Sequence, residues 1–449
     1  MTVARLGLLL AAALLSLSAP ALSADAGEPL ELSLDSCIEL GLAHSRSLKN
    51  AAAASRAAAA AVREARAARL PQLTVSAAYS RLSEEAAGTI DLPAGSAVIA
   101  EPAVNSTSFS AGLTQPLFSG FRLESGIRGS IEAAAESRHR YQRARESLVF
   151  HLQAAYWRLA GALELEAVIR ENLERVGAHW HETSERFEQG LVTYNDLLQV
   201  EMQLAESELR LIDGEISRRL ATARLNTLLG LDPDRFLLLR YSLSEALEPG
   251  AEINKMVASA LSRRSDLLAA QSRVRVLEAS FENVRSGWFP EIFLSGGAAL
   301  ARPNTRLFPP PDRFEATWEL GLGAVLQVGS WPGLPARLER ASASLEQARN
   351  SRQELADAVR LEVIEKALDY TRRRRQIEVA EKLTRQAEEN LRITQEKADA
   401  GLALTSELLD AEQALLEAGL RLTQSRIEAR IAYSALTLST GAGLPEEKR

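Results

Sequence analysis

The sequence predicts a mainly helical protein with a β membrane part: long coiled-coil helical hairpins written twice, each introduced by a pair of short amphipathic strands. Three observations predict it. Two stretches far longer than any globular helix, Arg122–Glu188 without proline and Arg337–Asp399 without proline or glycine, run up to Gly190 and Gly401. The residues around those two glycines repeat one another, and segments of period-two patterning precede each long stretch. Alanine and leucine dominate while aromatics make up only 5% of the chain, a composition suited to helices lying side by side.

The first residues, "MTVARLGLLLAAALLSLSAPALSADAG", carry Arg5, an apolar run from Leu6 to Leu17 and then small residues. This is the pattern of a secretory leader, too short for a membrane span. Residues 1–24 are read as the leader, with cleavage after Ser23 or Ala24. Its removal takes Arg5 with it and moves the formal charge from −7 to −8, which argues against a nucleic-acid partner. Cys37 is the only cysteine, so intrachain disulfides are impossible. It also lies too far from either cleavage site to be the first residue of a lipoprotein. No later segment approaches 18 consecutive apolar residues, the length a membrane helix needs.

Residues 25–231 form the first repeat and 252–441 the second, with a connector at 232–251 and a tail at 442–449. Laying Glu185–Gly230 over Glu396–Gly441 needs no gap and gives 16 identities in 46 positions, among them Gly190/Gly401, Leu197/Leu408, Leu198/Leu409 and Gly230/Gly441. Each repeat begins with a helix of about 35 residues that stops at Pro71 or Pro290, where the missing N–H and the restriction on the preceding residue end it. The connector, within "LDPDRFLLLRYSLSEALEPG", is rich in turn residues.

Strand pairs follow at 73–118 and 292–328. Leu73, Val75, Ala77 and Tyr79 alternate with Thr74, Ser76, Ala78 and Ser80; Phe109, Ala111 and Leu113 alternate with Ser110, Gly112 and Thr114. In the second repeat Ala316, Trp318, Leu320, Leu322, Ala324, Leu326 and Val328 share one face, opposite Thr317, Glu319, Gly321, Gly323 and Gln327. Such patterning over about ten residues is how membrane β-hairpins look. Four strands cannot close a barrel, and an open edge in lipid leaves backbone groups unpaired at several kcal/mol each. Three copies would supply twelve strands, within the range of outer-membrane barrels.

The long stretches span roughly 95–100 Å at 1.5 Å per residue. Leucines spaced by seven follow them, at Leu197, Leu204 and Leu211 and at Leu408, Leu415 and Leu422, the period of side-by-side coiled-coil packing. Gly190 and Gly401 then mark tight helical reversals, since a positive φ costs glycine little.

The duplicated "RFEQGLVTYNDLLQVEMQLAESE" and "KADAGLALTSELLDAEQALLEAG", with "RLPQLTVSAAYS" leading into the first hairpin and "LTQPLFSGFR" leaving it at Leu113–Arg122, make the chain resemble the TolC-type outer-membrane efflux channels, or outer membrane factors. The resemblance covers essentially all of the mature sequence. It implies a homotrimer in the outer membrane of a Gram-negative bacterium. Each protomer would give four strands to one 12-stranded β-barrel and its helices to a trimeric α-barrel crossing the periplasm. The function implied is that of a channel-tunnel in a tripartite efflux pump or type I secretion system, giving passive exit. The implied partners are outer-membrane lipid, a periplasmic adaptor (membrane fusion) protein and, through it, an inner-membrane pump or transporter.

The resemblance also implies site residues. Gly190, Leu191, Val192 and Asp196, with Gly401, Leu402 and Ala403, would form the periplasmic tip that meets the adaptor. Glu407 and Asp410, six and nine positions after the second glycine, would ring a pore constriction with carboxylates, which favours cations. The residue-level alternative makes them solvated acids near a helix N-terminus, favoured by its dipole. Some relatives place an arginine where Ala403 stands, paired with an acid at the position of Asp196; that pair is absent here, and Tyr194 is a candidate to hold the tip instead.

No catalytic constellation, cofactor motif or metal site is read. His179 and His181 lie about 200° apart on a helix and cannot share a metal unaided. Arg372–Arg375 spans every side of a helix and reads as a solvated face, and no Gly-rich phosphate loop is present. The competing class is a periplasmic coiled-coil adaptor or scaffold without a pore, which usually carries one helical hairpin where this chain has two.

Overall fold

The computed structural model describes residues 30–81, 83, 88–92, 95–100, 104–243, 252–308 and 310–441. The leader at 1–24, most of the second half of the connector and the tail at 442–449 lie outside the described residues. Two compact units are present: 1–41, 155–245 and 384–424 form one, and 42–154, 246–383 and 425–449 the other.

In chain order the elements are β1 (Leu30–Leu32), α1 (Leu34–His44), α2 (Arg46–Ala67), β2 (Gln72–Arg81), β3 (Gly88–Leu92), β4 (Gly95–Ala100), β5 (Asn105–Ser119), α3 (Arg122–Glu188), α4 (Tyr194–Leu229), β6 (Leu237–Leu239), α5 (Ile253–Arg263), α6 (Ser265–Arg285), β7 (Glu291–Arg302), β8 (Glu315–Val325), α7 (Leu334–Asp399) and α8 (Thr405–Ser439). The mainly helical, duplicated character expected from the sequence is present. No described helix is long and apolar enough to cross a membrane.

Several details differ from the sequence reading. Each opening helix of about 35 residues is two helices, broken at Ser45 and at Arg264. Ser45 caps α2 by accepting the Leu48 N–H. Arg264 has no side-chain cap but is nearly fully buried, bonded to Asp266 at 2.6 Å and Glu362 at 2.5 Å. The strand face read through Leu326 and Val328 ends at Val325, because residues 328–333 turn in a short 3-10 helix around Pro332. Two small β elements were not read at all: the β3–β4 hairpin between β2 and β5, and a parallel pair of β1 with β6, which lies inside the connector.

In the unit that holds the sheet, the four long strands are ordered β2-β5-β7-β8, all antiparallel. Paired residues in antiparallel strands point to the same side, so the register defines two faces. One carries the rows Leu73–Leu113–Gly296–Leu320, Val75–Ala111–Ala298–Trp318 and Ala77–Phe109–Leu300–Ala316. The other carries Gln72–Thr114–Ser295–Gly321, Thr74–Gly112–Gly297–Glu319, Ser76–Ser110–Ala299–Thr317 and Ala78–Ser108–Ala301–Glu315. The first face is apolar yet uncovered: Trp318 is 79% exposed and Leu320 and Val75 nearly as much. On the second, the Ser76 and Ser110 hydroxyls bond at 2.7 Å.

The motif Gln115–Gly120 explains how β5 hands over to α3. Pro116 has no N–H to give to the ladder, and the pairing with β7 slips between Pro116 and Phe118. Gly120 (φ 61°) and Phe121 (φ 71°) then turn the chain through left-handed backbone. A Cβ on Gly120 would lie 2.8 Å from both Phe289 Cβ and the Ser286 carbonyl, so close approach as well as φ requires glycine here. In the same unit, Met256, Ala260 and Leu267 bury against Val359, Val363, Ala367 and Tyr370 of α7 and Leu436 of α8.

The other unit holds both helical reversals. Its coiled-coil seam differs from the expected leucine heptads, whose residues are mostly half-buried. In the first half of α4 the buried positions are Val200 and Ser207, one heptad apart, and Gly214 one heptad further lies 3.4 Å from Ile169 of α3 at the Cβ position. Ala411 and Ala418 play the same part in α8. Small residues bring the rods close, and the leucines flank the seam.

Candidate functional site

The two reversals sit in one unit and are built alike. At the end of α3 the Gly190 N–H donates to the Phe187 carbonyl at 2.9 Å and the Leu191 N–H to that of Arg186 at 2.8 Å. At the end of α7 the Gly401 N–H donates to Ala398 at 3.0 Å and Leu402 to Lys397 at 2.8 Å. Both glycines are left-handed, with φ 73° and 71°. These are paired Schellman caps, which satisfy the last helical carbonyls and need φ > 0 at the glycine. Nothing lies within 4 Å of a Cβ built on either residue, so backbone conformation alone selects glycine there.

The apolar residues that follow are left in the open. Leu402 is 78% exposed, Leu191 and Leu404 nearly so, whereas Val192 and Ala403 are half-buried. Tyr194 does not cross to the second reversal; its ring stacks on Phe187 at 5.7 Å, within its own hairpin.

Restarting the helices takes a different form in each repeat. Thr193 caps α4 in a reciprocal box with Asp196: Asp196 N donates to the Thr193 hydroxyl at 3.2 Å, and Asp196 Oδ2 accepts from Thr193 N at 2.9 Å and from Thr193 Oγ1 at 2.6 Å. In the second repeat a leucine, Leu404, precedes α8 and has no hydroxyl. Only half of the box remains, with Glu407 Oε2 accepting the Leu404 N–H at 3.2 Å. Glu407 therefore serves its own helix terminus, which is the dipole-type role weighed against a pore role. Glu407 and Asp410 are both exposed and, three residues apart on α8, share a face.

Asp196 nonetheless lies near the second reversal: Thr405, at the start of α8, contributes to lowering its pKa. The Thr193 hydroxyl, then the Thr193 N–H and Thr405, hold the Asp196 carboxyl below its ordinary pKa against a small opposing effect of burial. Thr193 and Thr405 were not singled out from the sequence. Thr193 could have been, because Thr-x-x-Asp is a capping-box spacing; Thr405 could not, because Asp196 lies in the other repeat.

Further along the same seam, polar groups are buried. His179 Nδ1 lies 3.7 Å from Glu412 Oε2, both nearly covered. Glu166 bonds Arg170 at 2.5 Å and Arg218 at 2.6 Å, and these contacts outweigh burial and lower its pKa. His181 is exposed against the Trp180 ring, so the two histidines diverge. Among the described residues no cluster of His, Cys, Asp and Glu is placed to hold a metal ion.

Comparison with known proteins adds an independent line. A profile of the family described as "Outer membrane efflux protein" matches residues 37–231 and 256–442, two stretches that coincide with the internal duplication. The outer membrane protein OprJ of Pseudomonas aeruginosa is 28% identical over 273 residues, 58% of this chain and 53% of OprJ; the chain spans about half the length of that relative in the alignment. The fold is similar to that of the outer-membrane channel OprN, with a TM-score of 0.77 at 23% identity over 91% of this chain and 90% of OprN. It is equally similar to the CmeC outer membrane channel of Campylobacter jejuni, with a TM-score of 0.78 at 19% identity over 93% of this chain and 87% of CmeC.

Proposed function

Because the chain belongs to the outer membrane efflux protein family, we propose that it is an outer-membrane channel-tunnel that gives passive exit to solutes delivered by an efflux pump or type I secretion transporter. The observation that carries this reading is the four-stranded sheet with one apolar and one hydroxyl-rich face, whose outer strands β2 and β8 each have one partner among the described residues. In lipid such edges must be closed, and three copies close them into twelve strands with the apolar rows outward and the polar rows lining the lumen. A second observation agrees. Met202, Leu209 and Ile216 of α4 are spaced by seven and exposed, a seam that a neighbouring protomer would cover.

In this reading the reversals at Gly190 and Gly401 form the tip. The exposed Leu191 and Leu402, with Val192 and Ala403 beside them, offer an apolar surface to a periplasmic adaptor, and Glu407 and Asp410 from three chains ring the constriction. Thr193 and Asp196 brace the first reversal, with Thr405 of the second close by. Transport of this kind needs no catalytic group; the chain supplies a path, and the pump supplies the energy.

Fractionation of cells tests the reading. A barrel is released only by detergent and, once purified, produces discrete conductance steps in planar bilayers. Recovery in the soluble periplasm would instead establish the pore-less scaffold.

A further inference from the structure

Residues 303–306, which follow β7, are turned over the polar face of the sheet. Asn304, only 2% exposed, donates from Nδ2 to the Glu315 carbonyl at 2.9 Å and to the Thr317 hydroxyl at 3.3 Å, while its Oδ1 accepts the Arg306 N–H at 3.0 Å. Thr317 belongs to the polar row with Ser76 and Ser110, so the anchor lies on that side. From this anchor Arg306 reaches Glu319 at 3.0 Å, one polar row nearer the helical end of the strands.

The sheet is shaped to receive the pair. Glu319 shares its row with Gly112 and Gly297, and a Cβ on Gly297 would come within 3.2 Å of Glu319 Oε1. Across the four polar rows the ionisable side chains are Glu319 and Glu315, and Glu315 is already bonded to Arg313 at 2.5 Å. A surface otherwise of hydroxyls and small side chains thus carries a guanidinium swung in from a loop. Both partners are about half exposed, so the pair adds little to folding stability; its consequence is where it holds the loop.

We propose that residues 303–306, held by the Arg306–Glu319 pair, form a constriction at the outer mouth of the barrel that limits passage of bulky solutes. The proposal rests on the reading of the polar face as lumen. Being exposed, the pair is screened by salt, so the constriction loosens as ionic strength rises.

The test uses Thr114→Cys, one polar row beyond Glu319, and its neighbour Leu113→Cys on the apolar face; the native Cys37 is buried. A bulky, membrane-impermeant maleimide is applied to intact cells. Arg306→Glu sets two carboxylates against each other. Its labelling rate at Thr114→Cys should rise about tenfold, the change that ~1.4 kcal/mol produces in an opening equilibrium. Arg306→Gln should give a smaller rise, and Arg306→Glu combined with Glu319→Arg should restore the slow rate. Equal rates in all four backgrounds would overturn the constriction. A small water-soluble thiol reagent separates that failure from failure of the lumen reading: it should label Thr114→Cys and spare Leu113→Cys, and the reverse pattern would overturn the face assignment itself.

Discussion

Replacing Asp196 with alanine removes two hydrogen bonds at once. Its Oδ2 accepts from Thr193 N at 2.9 Å and Thr193 Oγ1 at 2.6 Å, and Thr405 of the other reversal lies near enough to help lower its pKa. Loss of a helix cap typically costs about 1 kcal/mol, and bonds to a charged acceptor add ~1.5 kcal/mol or more when desolvated. Asp196 is only half-buried, so solvent replaces part of that second contribution, leaving about 1–2 kcal/mol for the first turn of α4. That is a factor of roughly 5–30 in a local opening equilibrium. Hydrogen exchange read by mass spectrometry on peptides covering residues 191–200 should accelerate by that factor. Thr405→Val should leave α4 protected, because the Thr193 box survives. Exchange unaltered by Asp196→Ala would refute the account of the tip. The pH dependence has a fixed sign: Asp196 is depressed in the folded state, so its contribution is complete above the ordinary carboxylate pKa of about 4 and is lost as pH falls through the lower folded value. Protection, corrected for intrinsic rate, should be the same at pH 5 as at pH 7.

Three further outcomes are expected. Gly120→Ala, whose Cβ would press on Phe289 and the Ser286 carbonyl at 2.8 Å, should sharply lower the yield of assembled outer-membrane protein, whereas Gly401→Val, with open space around it, should leave yield near wild type and reduce efflux. Glu407→Gln combined with Asp410→Asn should lower cation preference in planar bilayers, seen as a shift in reversal potential under a salt gradient at low ionic strength; Glu201→Gln, farther up α4, should shift it less. Arg264→Ala strands Asp266 and Glu362, bonded to it at 2.6 Å and 2.5 Å, and should cost about 3 kcal/mol, read as a lowered unfolding temperature. Burial raises the Asp266 pKa, but the Arg264 contacts outweigh it and hold the carboxyl low, so the Arg264 penalty should shrink in acid as Asp266 protonates.

Elements governed by local rules were the legible ones. The alternation of Leu73, Val75 and Ala77 against Thr74, Ser76 and Ala78 anticipated both sheet faces, since period-two patterning needs no partner to be read. Gly190 and Gly401 announced their reversals because positive φ leaves few residue choices. The breaks at Ser45 and Arg264 were missed because neither interrupts the helical pattern in sequence; the Arg264 site depends on Glu362, about a hundred residues away. The seam was read as leucines because heptads are visible, while the buried positions at Val200, Ser207 and Ala411 follow from how closely two rods approach. The nearness of Thr405 to Asp196 was invisible for a related reason, since the repeat alignment sets Thr405 opposite Tyr194 and neither residue foretells the other.

The mass of the purified protein in detergent, measured by light scattering and corrected for the micelle, tests the central claim most directly. β2 and β8 each have one partner among the described residues, and with the exposed seam at Met202, Leu209 and Ile216 the proposed channel covers them with copies of the same chain, so the account gives three chains per particle. A particle of one chain would contradict the twelve-stranded barrel and the tunnel built upon it.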